Sequence, residues 1–351
     1  MSSNLTILNF TFMCLIESVL RFIVEYTDMA KHARSVMEAN GLSDIVTVIQ
    51  GAVEDIELPF VEDGLEPEDN TCESTQCVDI IISEWMGYFL LRESMLDSLI
   101  RARDKFLKPK TGLMFPSHTT MYLAPIQDED ERRISNQEYS GAMGEWSEFA
   151  DSTKSLYGVD MSVLEREYDR EQKEYYLLSS RWAELPADSV LADPAVVKVL
   201  DMHTCTLADS KGIFLGDENS DFVFDVDPEN NVGTTNISGF AGWFTADFKS
   251  RTDEAGSEAP LLTKPAFLST GPENGYTHWG QQVFHFLSGI PLIKGETTRL
   301  EGGLEMTRSK ENARLYNCRI RYNSTRSKLQ DGKETTVLHK TPLAENVYQI
   351  P

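Results

Sequence analysis

The segment that decides the fold is Ser83-Glu84-Trp85-Met86-Gly87-Tyr88-Phe89-Leu90-Leu91-Arg92-Glu93-Ser94-Met95-Leu96. It comes directly after Val78 to Ile82, a β-branched run of the kind a strand shows when both faces of its sheet are covered. In an open α/β sheet, ligands bind just beyond the carboxyl ends of the strands. Two carboxylates, Glu84 and Glu93, bracket a loop at that position, and Gly87 permits a tight bend between them.

Working outward, Met95, Leu99, Ala102 and Phe106 recur at helical spacing before the Lys108-Pro109 break. Upstream, Arg21 to Glu25 is a short apolar run ending in an acid, and Thr27 or Asp28 can cap a helix beginning there. Met29, Ala33, Val36 and Met37 then repeat at helical spacing until Asn40-Gly41 ends the helix. Ile45 to Ile49 reads as a strand. This order predicts an α/β unit with parallel strands over residues 1–116. The acidic stretch between Pro59 and Val78 reads as an inserted, solvated loop.

After Pro116 the pattern changes. Short alternating runs at Thr119–Ile126, Val196–Leu207, Asp221–Val226, Gly239–Phe248, Gln281–Leu287 and Arg314–Tyr322 are separated by turn residues. They predict an antiparallel sandwich or barrel over residues 117–325. A polar, partly helical excursion at about 128–194 carries Trp146, Phe149, Leu156, Tyr157, Tyr175, Tyr176 and Trp182. Those aromatics suggest that it packs on something else, such as a second subunit. Residues 326–351 are polar and read as a loose tail.

The bulk properties narrow the function. Of 351 residues 41% are hydrophobic, enough for a real core, and the formal net charge is -24. Such a charge argues against a general nucleic-acid footprint and favours cationic partners, although acidity also serves solubility alone. The five cysteines are scattered, and Cys72 and Cys77 have no second Cys/His pair nearby, so neither a disulfide framework nor a metal site is expected. A reducing compartment, cytosol or nucleus, is expected in turn. Leu5 to Val24 is apolar but contains Glu17 and Arg21 and lacks a basic leader, so no membrane span is expected.

The paired acids have one specific use. A guanidinium keeps its proton at any physiological pH, and its nitrogens are poor nucleophiles. Two carboxylates gripping its planar fork draw positive charge toward one nitrogen and leave lone-pair character on another. On spacing alone, Glu84 and Glu93 also suit surface acids flanking a helix start.

The whole string resembles the double-E loop of the type I protein arginine methyltransferases. Other segments extend the resemblance. Ile23-Val24-Glu25 is similar to the strand whose terminal acid holds the ribose of S-adenosylmethionine, and Gly51-Ala52-Val53-Glu54 to the segment touching adenine. Tyr157 to Ser162 is similar to a border of the dimerisation arm. Ser269-Thr270-Gly271-Pro272 and Tyr276-Thr277-His278-Trp279 look like the family's THW loop. The resemblance implies a partial Rossmann-like class I methyltransferase sheet domain, then an antiparallel β-barrel with a helical dimerisation arm. It implies S-adenosylmethionine as donor, Arg-rich protein acceptors such as histones or Arg/Gly-rich tails, and a homodimer. It assigns catalysis to Glu84, Glu93 and His278, donor contacts to Glu25, Val53 and Glu54, and acceptor contacts to Tyr88, Met95 and Trp279. Without the resemblance, His278 reads as a satisfied loop histidine, and Tyr88, Met95 and Trp279 as packing residues.

Two departures stand out. No G-x-G occurs anywhere and no glycine precedes Gly41, so the family's glycine-rich turn after its first strand is expected to be missing. An incomplete start and a product that has given up donor binding, acting as a dimerising scaffold for Arg-rich proteins, both account for this. A sheet lacking its central strand would expose apolar edges at Ile23 and Ile45–Ile49. Arg92 stands where the family usually has an aromatic residue, and its cation could pair with one of the two acids.

Overall fold

The computed structural model describes residues 12–16, 19–24, 27–56, 78–229, 231, 233–251, 262–330 and 333–350, and only the backbone within 12–28 and 329–335. The inserted acidic loop and Glu25 lie outside the described residues.

The first unit runs β1 (Phe12–Ile16), β2 (Val19–Val24), α1 (Thr27–Ala39), β3 (Val46–Gln50), β4 (Ile80–Ile82), α2 (Leu96–Phe106) and β5 (Leu113–Phe115). Its sheet has the order β3-β2-β1-β4-β5. The β2–β3 and β4–β5 pairs are parallel. The central strand is not: β1 is antiparallel to both β2 and β4, with Phe12 opposite Ile23 and Met13 opposite Ile82. The expected gap in the sheet is therefore filled. Residues 12–16 satisfy the ladder hydrogen bonds that β2 and β4 would otherwise present at open edges.

Helix α1 buries Ala30 and Ala33 and leaves Val36 exposed. It ends at Gly41, whose φ of 66° suits glycine. Helix α2 buries Leu99, Ala102 and Phe106, the face its periodicity predicts.

The second unit begins with β6 (His118–Ile126), followed by α3 (Glu129–Tyr157), α4 (Glu165–Tyr176) and β7 (Arg181–Ala183). Strands β8 (Ala195–Asp201), β9 (Gly212–Ile213), β10 (Asp221–Val226), β11 (Asn236–Phe248) and β12 (Ala266–Ser269) come next. It closes with β13 (Gln281–Pro291), β14 (Glu296–Arg308), β15 (Tyr316–Gln330), β16 (Lys333–Lys340) and β17 (Ala344–Ile350). Two six-stranded antiparallel sheets result, one built on β7-β13-β11-β6-β8 and the other on β10-β14-β15-β16. Strand β11 alternates faces: Phe240 and Phe244 join the main core, and Ala241 and Trp243 pack on Tyr122 behind it. The main core is continuous across the units, since Phe89, Leu90 and Phe106 belong to the same cluster as Phe240, Phe284 and Leu304.

The C-terminal residues correct the sequence reading. The described residues of 326–350 are not a loose tail, because β17 pairs with β15 from Tyr316 opposite Ile350 to Tyr322 opposite Ala344. Tyr348 and Ile350 are buried, and the Tyr348 hydroxyl donates to the carbonyl of His285 at 2.7 Å. A strand at the sheet margin needs an apolar residue only at every second position, so its composition stays polar.

Helices α3 and α4 form the excursion between β6 and β7. Trp146 stacks on Tyr168 at 4.7 Å between ring centroids, and Lys173 pairs with Asp169 at 2.7 Å. Ser135 is the one buried residue of α3, and α4 buries none. Phe149 and Tyr157 are 53% and 76% exposed.

Candidate active site

The loop between β4 and α2 is held in an uncommon backbone path. The Gly87 amide donates to the Leu90 carbonyl at 2.9 Å. A Cβ on Gly87 would lie 1.8 Å from the Arg92 carbonyl oxygen, so glycine is required. Phe89, Leu90, Glu93 and Ser94 have φ of 46°, 65°, 91° and 59°, the left-handed region that side chains disfavour. Each such residue costs about 1–3 kcal/mol, and conformations of this kind cluster at functional sites. Burial of Trp85, Phe89, Leu90 and Leu91 offsets that cost. Phe89 docks on Gly242 of β11 and lies 5.8 Å from the ring of Phe284.

This path brings Glu84 and Glu93 together. Glu84 is exposed, yet desolvation by surrounding atoms and then the negative charge of Glu93 push its carboxyl up to about 7, against the pull of the Met86 amide. The side chain of Glu93 is 20% exposed and is gripped from both sides. Arg92 Nη1 lies 3.3 Å from Oε1, as its position in the sequence suggested, and Arg314 Nη2 lies 3.3 Å from Oε2.

The loop is tied to the second unit at several points. Trp279 Nε1 donates to the Met86 carbonyl at 2.8 Å, and the Trp279 ring meets Phe244 edge-on at 5.5 Å. The Glu93 amide donates to the Arg314 carbonyl at 2.8 Å, and the Ser94 hydroxyl to that of Ala313. Asp97, in the first turn of α2, receives Arg308 Nη1 at 2.9 Å and Lys211 Nζ at 2.6 Å.

Trp279 therefore reaches the acid loop. Tyr88 is half-buried, with the Arg92 guanidinium 5.5 Å above its ring. Met95 precedes α2 and packs against the core. His278 is exposed with its ring tilted against that of Trp279 at 3.8 Å between centroids, and its carbonyl accepts Trp182 Nε1 at 3.2 Å. Among the described residues it forms no ion pair with either acid. The contacts that sequence reasoning missed are Arg314 and Gly242, each far along the chain in an ordinary strand or turn context that no local spacing marks. Trp182, expected to pack on something such as a second subunit, meets His278 of its own chain instead.

On the donor side, Val53 is buried just past the carboxyl end of β3. The Glu54 carboxylate accepts from Ser98 at 2.9 Å, and Lys105 reaches the Glu54 carbonyl at 3.1 Å. The resemblance assigns these residues to the adenosine half of S-adenosylmethionine. The methionyl half calls for backbone amides in a turn leaving the central strand at this edge. Here β1 runs the other way and presents Phe12 there, with its connection to β2 at the opposite edge. The described residues therefore do not fit that half of the donor.

The structure joins a mixed sheet, with paired acids beyond its strand ends, to a barrel-like pair of antiparallel sheets. Comparisons with known proteins identify the family that has this architecture. Residues 117–328 match the arginine methyltransferase oligomerization subdomain. Protein arginine N-methyltransferase PRMT10 of Arabidopsis thaliana is 42% identical over 305 residues, covering 86% of this chain and 70% of its own length. The probable protein arginine N-methyltransferase 6.1 of Oryza sativa subsp. indica is 33% identical, covering 85% and 70%. The crystal structure of Arabidopsis PRMT10, described as a uniquely open conformation, superimposes with a TM-score of 0.76 at 36% identity, covering 95% of this chain and 83% of that one. The Trypanosoma brucei PRMT1 enzyme-prozyme complex with AdoHcy shares the fold, with a TM-score of 0.60 at 21% identity. The chain belongs to the protein arginine methyltransferase family, enzymes that methylate arginine side chains of proteins with S-adenosylmethionine as donor.

Proposed function

We propose that this chain methylates arginine side chains of protein substrates, with Glu84 and Glu93 gripping the acceptor guanidinium. The convergence of these two acids beyond β4, against the loop that carries Trp279, supports this most directly. Glu84 in its charged form and Glu93 hold the fork and orient one nitrogen toward the donor side of the sheet. Trp279 and Tyr88 wall the acceptor channel, and Met95 narrows it. His278, exposed beside Trp279, takes up the proton released after transfer. Glu25, Val53 and Glu54 would hold the ribose and adenine of S-adenosylmethionine, which would supply the methyl group.

Acceptors are Arg-rich segments, histones or Arg/Gly-rich tails, attracted by a net charge of -24. The chain pairs with a second copy through α3 and α4, whose exposed Phe149, Leu156 and Tyr157 suit an interface. Buried free Cys205 and Cys318 agree with a reducing compartment, cytosol or nucleus. No described helix is long and apolar enough to cross a membrane.

The antiparallel β1 favours a second reading, a scaffold that binds Arg-rich proteins without transferring methyl groups. Calorimetric titration with S-adenosylhomocysteine, then methylation of an Arg/Gly-rich peptide, separates the two. One-to-one binding with methylation lost in Glu93→Gln supports the enzyme. Peptide binding by a folded sample that takes up no S-adenosylhomocysteine supports the scaffold.

A further inference from the structure

The acceptor carboxylate already holds a guanidinium from its own chain. Arg314 lies in the turn between β14 and β15, and its Nη2 meets Oε2 of Glu93 at 3.3 Å. The contact is end-on and longer than the two-point pair elsewhere on the surface, where Arg299 holds Asp225 at 2.8 Å through both Nε and Nη2. The Arg314 side chain is 52% exposed, so solvent can take over its hydrogen bonds when it swings away. Arg92 lies on the other oxygen, but it is the neighbouring residue of the same loop and also covers Tyr88. Of the two cations, Arg314 is the one built to leave.

The position of the loop does not depend on that side chain. The Glu93 amide bonds the Arg314 carbonyl and the Ser94 hydroxyl bonds the Ala313 carbonyl, both main-chain acceptors that survive any substitution at 314. The guanidinium therefore acts on the charge and occupancy of Glu93 rather than on the fold.

We propose that Arg314 is an internal stand-in for the acceptor arginine, holding Glu93 until a substrate guanidinium displaces it, and so setting acceptor affinity. This rests on the acceptor-site reading of Glu84 and Glu93. Displacing Arg314 costs any incoming cation the same, so a preference for arginine over lysine comes from the fork engaging both acids at once.

The experiment is donor-free calorimetry of the full chain with a Gly-Gly-Arg-Gly-Gly peptide and its lysine counterpart, comparing wild type, Arg314→Gln, Arg314→Lys and Glu93→Gln. Exposed ion pairs are worth about 0–1 kcal/mol, so Arg314→Gln should tighten arginine-peptide binding roughly threefold and tighten the lysine peptide by the same factor, leaving the preference unchanged. Arg314→Lys should fall between it and wild type. Under turnover, Arg314→Gln should lower KM at unchanged kcat. Weaker binding in Arg314→Gln, or a fall in kcat with KM unchanged, would overturn the stand-in role and make Arg314 a support for Glu93. The Glu93→Gln arm separates the two claims. Loss of affinity there with no gain in Arg314→Gln sinks this inference alone, whereas unchanged affinity in Glu93→Gln, or no peptide binding by any form, sinks the acceptor-site reading with it.

Discussion

The indole N–H of Trp279 donates to the carbonyl of Met86 at 2.8 Å, across 193 residues of chain, and fastens the loop of one unit to that of the other. Trp279→Phe keeps the ring against Phe244 but leaves the Met86 carbonyl without its donor. Expected are a stability loss of about 1 kcal/mol and a larger loss in acceptor binding, roughly tenfold, as the acid loop loses its register. Thermal denaturation beside peptide calorimetry checks both, and equal affinity would show that Trp279 only packs.

The carboxyl of Glu84 is pushed up to about 7, so it is partly protonated at neutral pH. Because the folded value is raised, its contribution to stability is present below about 4.5 and declines as pH rises through about 7. Acceptor grip needs the charged form and runs the opposite way. Arginine-peptide affinity should climb as pH rises through about 7 and then level off. Glu84→Gln should weaken binding and flatten that rise; a rise that persists in this variant assigns it to another group.

A Cβ at position 242 would lie 2.4 Å from the edge of the Phe89 ring. Phe89 is wedged between β11 and Phe284, so it has little room to move. Gly242→Ala should cost about 1–3 kcal/mol and displace the acid loop. Pairing it with Phe89→Leu should recover part of the loss, which a double-mutant cycle in denaturant measures.

Burial of Asp97 opposes its ionisation, but hydrogen bonds from Arg308, Lys211 and Ser210 outweigh it and hold the carboxyl well below the usual range. A depressed value contributes stability above the ordinary carboxylate range, lost as pH falls below about 4. Asp97→Asn should destabilise the protein by about 2 kcal/mol at pH 7 and remove part of its acid sensitivity. Melting temperatures from pH 3 to 7 give the comparison.

If α3 and α4 form the contact with a second copy, Phe149→Asp together with Tyr157→Asp should convert dimer to monomer with the melting temperature of the barrel unchanged. Light scattering after gel filtration reads the mass. A monomeric wild type would send the exposed arm to another partner.

The sequence by itself determined the elements and the chemistry of the loop. Helix α2 was legible because Leu99, Ala102 and Phe106 fall on one face, and the barrel strands because alternation marks a half-buried sheet. Glu84 and Glu93 were singled out in the sequence only through the resemblance of their loop to a family motif, since their spacing alone also suits surface acids. Strand direction and long-range contacts were not. Whether residues 12–16 enter the sheet parallel or antiparallel leaves the same alternation in the sequence, and the ladder partners on β2 and β4 decide it. Strand β17 was hidden because only alternate residues meet the core. The pairing of Arg314 with Glu93 depends on a turn 221 residues away, and only packing of the two units against one core brings the cation to the acid.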